Sequence, residues 1–322
     1  MNLKESIENT MKETHYKSFD QWVQNFALNL PNIWQESSAK EICQITSEYD
    51  QKSPAIIIGR GPSIDKHEHL KILAESDYKG NIICCDGKLV DALKAGVTPT
   101  KFPKFFVTSI EPYSGIRKHY DDPIIDKYGN QIKGIFSVLT NPSVVERARK
   151  SKIKIHWMHS LFDYNEGKKS FNQISALMIR AKNHSNGLPA IQTGGNVGTS
   201  SWFVGWKILK CSTVAMIGLN HGWEEDDSWE KIISHGNYYD SSKGVDRNSP
   251  TFKKLFKKIY NPDFECFCIL DPLFQFYSTA FKEFISRSPK WLTTINATEG
   301  GSIFGDRIEG MKFKEFLKKY SN

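Results

Sequence analysis

An α/β fold is predicted: a mainly parallel sheet with helices on both faces, carrying an N-terminal helical extension. Three observations predict it. From residue 54 onward, short apolar runs recur between helical stretches. The runs are apolar on both faces, as strands covered on both sides of a sheet are. Two glycine-rich corners open helices.

Residues 1–50 form the extension. Trp22, Phe26, Leu28, Leu30, Ile33 and Trp34 give an apolar stripe at helical spacing, interrupted by Pro31. The polar segment DQKSP, 50–54, links it to a domain spanning 51–322. There PAIIIG (54–59) reads as a first strand that stops at Ile58, followed by a helix over 63–76. NIICCD (81–86) is a second strand, and LVDALKAG (89–96) a helix ending on Gly96. FFVTSIEP (105–112), GIFSVL (134–139), KIHWMH (154–159) and STVAMIGLN (212–220) are four more strands. Residues 160–190 read as helix and loop, and 221–250 as a long polar loop or flap. Residues 251–290 read as helices. Among them, Lys253, Lys254, Lys257 and Lys258 interleave with Phe252, Leu255, Phe256 and Ile259 on an amphipathic helix.

Composition narrows the class. The 322 residues carry a net charge of +7, and 39% of them are hydrophobic; the mean hydropathy is −0.46. No apolar run approaches the roughly 18 to 20 residues of a membrane span. The first residues, MNLKESIENTMKETHYKSF, have neither the apolar core nor the cleavage site of a secretory signal. Six cysteines without a CxxC pair are expected as reduced, mostly buried thiols, with Cys84 and Cys85 on alternate sides of a strand. A cytoplasmic location is expected. The dispersed lysines suit a phosphorylated ligand better than a nucleic-acid face.

The chemistry gathers where strands end. After Ile58, Gly59 and Gly61 permit a tight turn and close approach of a ligand. Pro62 suits the first turn of a helix, and Ser63 either caps it or binds an anion directly. Free amides and the positive end of the helix dipole then outline a phosphate site. A plain strand-to-helix turn has the same outline. GxGxxG is not matched, because Ile64 stands at the third glycine, and no GK[ST] occurs. The second corner, QTGGNVGTSS, sets Gly194, Gly195, Asn196, Gly198 and Thr199 before another helix.

Asp86 ends the second strand, Glu111 the third, and Asn220 with His221 the sixth. These are carboxyl ends, where open α/β sheets bind ligands. Asp86 suits a ribose, and Asp86 or Glu111 suits Mg²⁺ held against phosphates; a helix cap or surface turn uses the same residues. Glu299 and Gly300 lie in a further polar turn, NATEGGSIFG. His221 is a candidate proton-transfer group, and His221 with His235 flanks the acidic run Glu224 to Asp227.

Taken in order, GxGPS, GVTPT…FFVTSIEP, TGGNVGTSS, AMIGLNHGW and NATEGGSIFG resemble the 6-hydroxymethylpterin diphosphokinase MptE-like family. Its domain is shared with the motility accessory factor glycosyltransferases and is more distantly similar to bacterial sialyltransferases that use CMP-sialic acid. The resemblance covers about residues 50–320. It implies a Rossmann-like sheet holding a nucleotide at its carboxyl edge. Gly59, Gly61, Pro62 and Ser63 match the phosphate corner, Asp86 a recurring acid, and Glu111-Pro112 a frequent Asp-Pro. Gly194, Gly195 and Gly198 match the second glycine corner, and Glu299, Gly300 and Gly301 the third. Asn220 departs from a frequent Asp. The activity implied is Mg²⁺-dependent diphosphate transfer from ATP to a hydroxymethylpterin-like alcohol, with Asp86 and Glu111 on the metal. The alternatives are glycosyl transfer from a CMP-activated nonulosonic sugar, with His221 as base, and nucleotide binding without catalysis. Each names a nucleotide as ligand; the two transfer reactions add a small-molecule, glycan or protein acceptor.

Overall fold

Four-to-eight-residue runs rich in Ile, Val, Phe and Cys make the centre of the molecule, since such runs bury both faces only inside a sheet covered on both sides. The computed structural model describes residues 3–45, 53–161, 165–166, 169–180, 187–235, 244 and 246–320. Its strands are β1 (Ser37–Ser38), β2 (Pro54–Ile58), β3 (Asn81–Cys85), β4 (Phe105–Ser109), β5 (Lys133–Ser137), β6 (Lys154–Leu161), β7 (Ala190–Gln192) and β8 (Thr213–Ile217). There follow β9 (Trp223–Glu224), β10 (Lys257–Asn261), β11 (Cys266–Leu270), β12 (Thr293–Asn296) and β13 (Ile308–Gly310), and a separate antiparallel pair joins Asn165–Glu166 to Lys169–Ser170. The main sheet runs β1-β6-β5-β4-β3-β2-β8-β12-β13, with β7 beside β6. Every pairing in it is parallel. From β2 the chain moves outward through β3 to β6, then returns to place β8 on the other side of β2. Such a reversal leaves a crevice at the carboxyl ends of the two strands.

Alternation along each strand sends neighbours to opposite faces. Ile56, Ile58, Ile82, Cys84, Phe105 and Val107 share one core, and Ala55, Ile57, Ile83, Cys85 and Phe106 the other. Cys84 and Cys85 thus occupy the opposite sides expected of them. The first face is covered by α1 (Leu3–Ile33), α4 (His69–Glu75), α5 (Leu89–Lys94), α7 (Pro142–Lys150) and α13 (Phe313–Tyr320). The second is covered by α2 (Lys40–Ile45), α9 (Val197–Phe203, continuing as a π turn over Val204–Ile208) and α12 (Pro272–Ser286). Completing the set are α3 (Ser63–Lys66), α6 (Pro123–Tyr128), α8 (Phe171–Arg180), α10 (Trp229–Ser234) and α11 (Pro250–Leu255).

The N-terminal helix is a layer of the same core. Phe26, Leu30 and Ile33 are buried in the first cluster. Buried Asn25 donates to Pro112 O (2.9 Å) and Leu139 O (3.0 Å), and Asn29 to Val138 O (3.2 Å) and Thr140 O (2.8 Å). Pro31 lies inside the helix, two residues from its end, so the interruption expected there is only its approach to a stop.

Three expectations are corrected. The helix over 63–76 is two pieces, because Glu68 adopts a left-handed conformation (φ 52°) between α3 and α4. The polar segment after 220 contains β9 and α10, the latter capped by Ser228, whose hydroxyl accepts from Lys231 N–H; residues 236–243 and 245 of that expected flap lie outside the described residues. So do residues 50–52 of the link and parts of 160–190. Finally, the lysine-rich helix stops at Leu255. Phe256 leaves helical geometry, and Lys257–Asn261 pairs antiparallel with Cys266–Leu270. A β9-β11-β10 sheet results, and Ile232, Ile233, Phe252, Leu255, Phe256 and Ile269 close a small core beneath it. Among the described residues no helix is long and apolar enough to cross a membrane.

Candidate active site

Strand β8 ends in Gly218-Leu219-Asn220-His221, and the glycine corners pack around these four residues. A Cβ on Gly59 would fall on Gly218 O and Leu219 Cδ1, and one on Gly61 on Asn220 Oδ1. One on Gly198 would stand 3.0 Å from Leu219 Cδ2, and one on Gly301 would strike the Asn220 backbone. The two bends expected to share a guest therefore meet at Leu219.

Their amides are largely spoken for. Gly59 N–H donates to Ile217 O at 2.8 Å, and Gly61 N–H to Gly218 O at 2.7 Å. Ser63 Oγ donates to Asn220 Oδ1 at 2.9 Å, Pro62 has no N–H, and α3 is a single turn. The Gly59 and Gly61 amides are thus not free for a ligand: the two glycines tie the end of β2 to the end of β8. In the second corner Asn196 caps α9, accepting from Thr199 N–H at 2.8 Å and donating to Thr199 Oγ1 and Gly194 O. Gly194 and Gly195 are left-handed, and the Gly195 α-carbon lies against Tyr277 and Phe276.

The acids come together as their strand positions require. Asp86 follows β3 and is buried; Glu111 stands two residues past the adjacent β4, partly open. Asp86 accepts from Ser109 Oγ (2.6 Å) and Gly87 N–H (2.7 Å). Burial pushes its pKa up to about 6, against the pull of those bonds and of Arg60. Burial, then the Asp86 charge, pushes Glu111 to about 7. Among the described residues no donor meets the Glu111 carboxyl. Two carboxyls that share a desolvated site and repel one another hold protons up to neutrality unless a cation replaces them. Each Asp86 oxygen keeps a lone pair, so the donor set suits a divalent cation that retains waters. The acidic run after His221 makes no such site: among the described residues no three His, Cys, Asp or Glu side chains gather as metal ligands.

His221 adopts a strained left-handed conformation (φ 40°) and is buried against Phe274, Phe281 and Tyr277, the last of which feels the Glu111 charge. Burial lowers its pKa to about 4, which makes it a neutral, weak base at pH 7, and among the described residues its Nδ1 has no partner. Tyr277 lines the same space; burial, then the Glu111 charge, raises its hydroxyl pKa. Behind them Asp271 caps α12 and accepts from Phe274 N–H (2.8 Å), Trp223 Nε1 (2.7 Å) and His235 Nδ1 (2.5 Å). It thereby ties the small sheet to the rim of the crevice. No motif in the sequence singles out Tyr277 or Asp271, since both lie on a helix far along the chain. Trp202 and Phe106, aromatics with ring-stacking potential, are fully buried core.

Glu299 and Gly300 lie on the other side of Asn220. With Lys66, His67, Trp223, Glu224 and Cys266 they line a cavity of about 180 Å³ beneath the small sheet. Glu299 Oε1 accepts from Phe313 N–H (3.1 Å) and meets His69 Nε2 (3.2 Å). Burial opposes its charge, but those bonds and the nearby imidazoles hold its pKa below the ordinary carboxylate range.

Comparison with known proteins agrees with this architecture. The family described as 6-hydroxymethylpterin diphosphokinase MptE-like matches residues 24–226, well over half of the chain and inclusive of the first two corners, both acids and His221. A solved structure of MAf glycosyltransferase from Magnetospirillum magneticum AMB-1 is similar with a TM-score of 0.55 at 16% identity, covering 84% of this chain. At that identity the likeness is one of fold, and this chain spans 36% of that protein's length. No curated protein matches the chain. By the extent of the family match, this chain is a member of the 6-hydroxymethylpterin diphosphokinase MptE-like family.

Proposed function

We propose that this protein is a transferase taking a nucleotide donor in the crevice between β2 and β8, and that its reaction is diphosphate transfer from ATP to a hydroxymethylpterin-like alcohol. The observation that carries this reading is the pair of acids at adjacent strand ends, buried Asp86 and partly open Glu111, one and two strands from the reversal point. Mg²⁺ held by the two carboxylates would offset charge on the transferring group. The acceptor hydroxyl attacks the β-phosphorus and releases its proton to solvent, the bond from that phosphorus to the bridging α-phosphate oxygen breaks, and AMP departs with that oxygen. Positioning and charge compensation do most of the work.

A second reading, glycosyl transfer from a CMP-activated nonulosonic sugar, is favoured by one observation. Glu111, with its pKa near 7 and no donor on its carboxyl among the described residues, is a better-matched base than His221. The fold neighbour bears a glycosyltransferase's name.

Thermal melting with ATP, CTP and CMP, each with and without Mg²⁺, separates the readings, because native-state ligands raise the melting point. ATP is expected to shift it further with Mg²⁺ than without, and Asp86→Asn is expected to abolish that difference. A shift by CMP without metal supports the sugar donor. Binding without turnover, indifferent to both acids, indicates a non-catalytic module, and no shift with any nucleotide sinks all three.

A further inference from the structure

The first corner carries a charge that its glycines do not explain. Arg60 stands between Gly59 and Gly61, exposed at the carboxyl edge. Its stem lies across Gly87, where a Cβ would come within 3.0 Å of Arg60 Cδ and 3.8 Å of Nε and Nη1. Gly87 in turn follows Asp86 and donates to its carboxylate. The guanidinium is thus seated over the turn after β3, close enough to act on Asp86 and on His119. Nevertheless, among the described residues Arg60 forms no ion pair and no hydrogen bond.

Three basic residues of the adjoining helices differ. Lys88 is buried and bridged to Asp65 (3.2 Å) and Asp91 (3.0 Å). Lys66 is paired with Glu224, and Arg117 with Asp121. Each is neutralised where it stands. Meanwhile the amides of Gly59 and Gly61 are committed to β8, and two acids face the same space. An anionic donor entering here meets repulsion and few free N–H groups, so it needs a cationic partner.

We propose that Arg60, seated by Gly87, is the phosphate-binding arm of the donor site and takes the place of a backbone-amide cradle. Its planar fork of donors matches two phosphate oxygens at once. The ligand class is the phosphate chain of a nucleotide donor, shared by both readings of the reaction, and the assignment rests on the nucleotide reading for the identity of the group attached.

The test is titration calorimetry in metal-free buffer, with inorganic diphosphate, ATP and CMP as probes. Arg60→Ala is expected to weaken diphosphate and ATP by about tenfold or more. Arg60→Lys, which keeps the charge and loses the fork, should fall between. Lys290→Ala, which removes an exposed charge ahead of β12 at the opposite edge of the sheet, should change neither by more than about twofold. Because Arg60 is exposed and unpaired, the variants should melt as the parent does; Arg60→Gln repeats the measurement if the alanine variant does not. Diphosphate binding equal in Arg60→Ala and parent overturns the assignment, as does an equal loss in Lys290→Ala. If the parent binds ATP and Arg60→Ala binds it as well, the nucleotide reading stands and the arginine assignment falls. If diphosphate binds through Arg60 but no nucleotide binds, the reverse holds. Binding of neither probe overturns both.

Discussion

Asp86 and Glu111 make the crevice a proton store, and this has a sign. A carboxyl whose pKa is raised in the folded chain holds more protons there than in the unfolded chain. Its stabilising share is complete below about pH 4 and is lost as pH rises toward its folded value, about 6 for Asp86 and about 7 for Glu111. His221 and His156, both lowered to about 4 by burial, act oppositely: their share is present above about pH 6.5 and is lost as pH falls toward 4. The effects overlap in the whole protein, so they are separated by substitution. The double variant Asp86→Asn, Glu111→Gln should gain stability relative to the parent as pH rises from 4.5 to 7.5, by more than about 1 kcal/mol. Urea denaturation at several pH values reads this, and a flat difference would refute it. Mg²⁺ should stabilise the parent more at pH 8 than at pH 5, and the variant at neither. Both acids were legible in the sequence because a polar residue closing an apolar run marks a strand's carboxyl end. Arg60 was visible between its glycines, but its isolation from any counter-ion was not, since pairing is decided by residues brought from elsewhere.

Among the elements, α12 does the most to shape the site. Asp271 caps it, and three donors converge on the one buried carboxylate. Asp271→Ala removes the cap and leaves the Trp223 and His235 donors without their acceptor. The expected cost is about 2 to 3 kcal/mol. Hydrogen exchange should quicken in residues 257–270 before it does in β2 or β8; uniform quickening would mean that the small sheet is not held through this contact. This part of the fold was the least readable. Lys253 to Ile259 satisfies a helical period, yet its last three residues pair within β10, because the partner strand Cys266–Leu270 lies just beyond Pro262 and offers backbone bonds that a continued helix would forgo. The two pieces of 63–76 mislead for a similar reason: one left-handed residue, Glu68, breaks a pattern that composition alone continues.

At the scale of the molecule, the N-terminal helix and the sheet are one cooperative body. Asn25 and Asn29 satisfy four carbonyls at the ends of β4 and β5, while Phe26, Leu30 and Ile33 complete the core on that face. Removing residues 1–34 should therefore abolish cooperative thermal unfolding, as followed by circular dichroism, and a truncated chain that melts sharply would show the layer to be dispensable. The sequence by itself determined the α/β class, the succession of the central strands along the chain and the acids at their ends, because burial on two faces and the change from strand to helix are written in local composition. Only the tertiary structure decided that β8 lies beside β2, that the Gly59 and Gly61 amides bind the end of β8, and that Arg60 has no counter-ion among the described residues. Those outcomes depend on which distant segments touch, and contact between segments far apart in the chain has no periodicity to announce it.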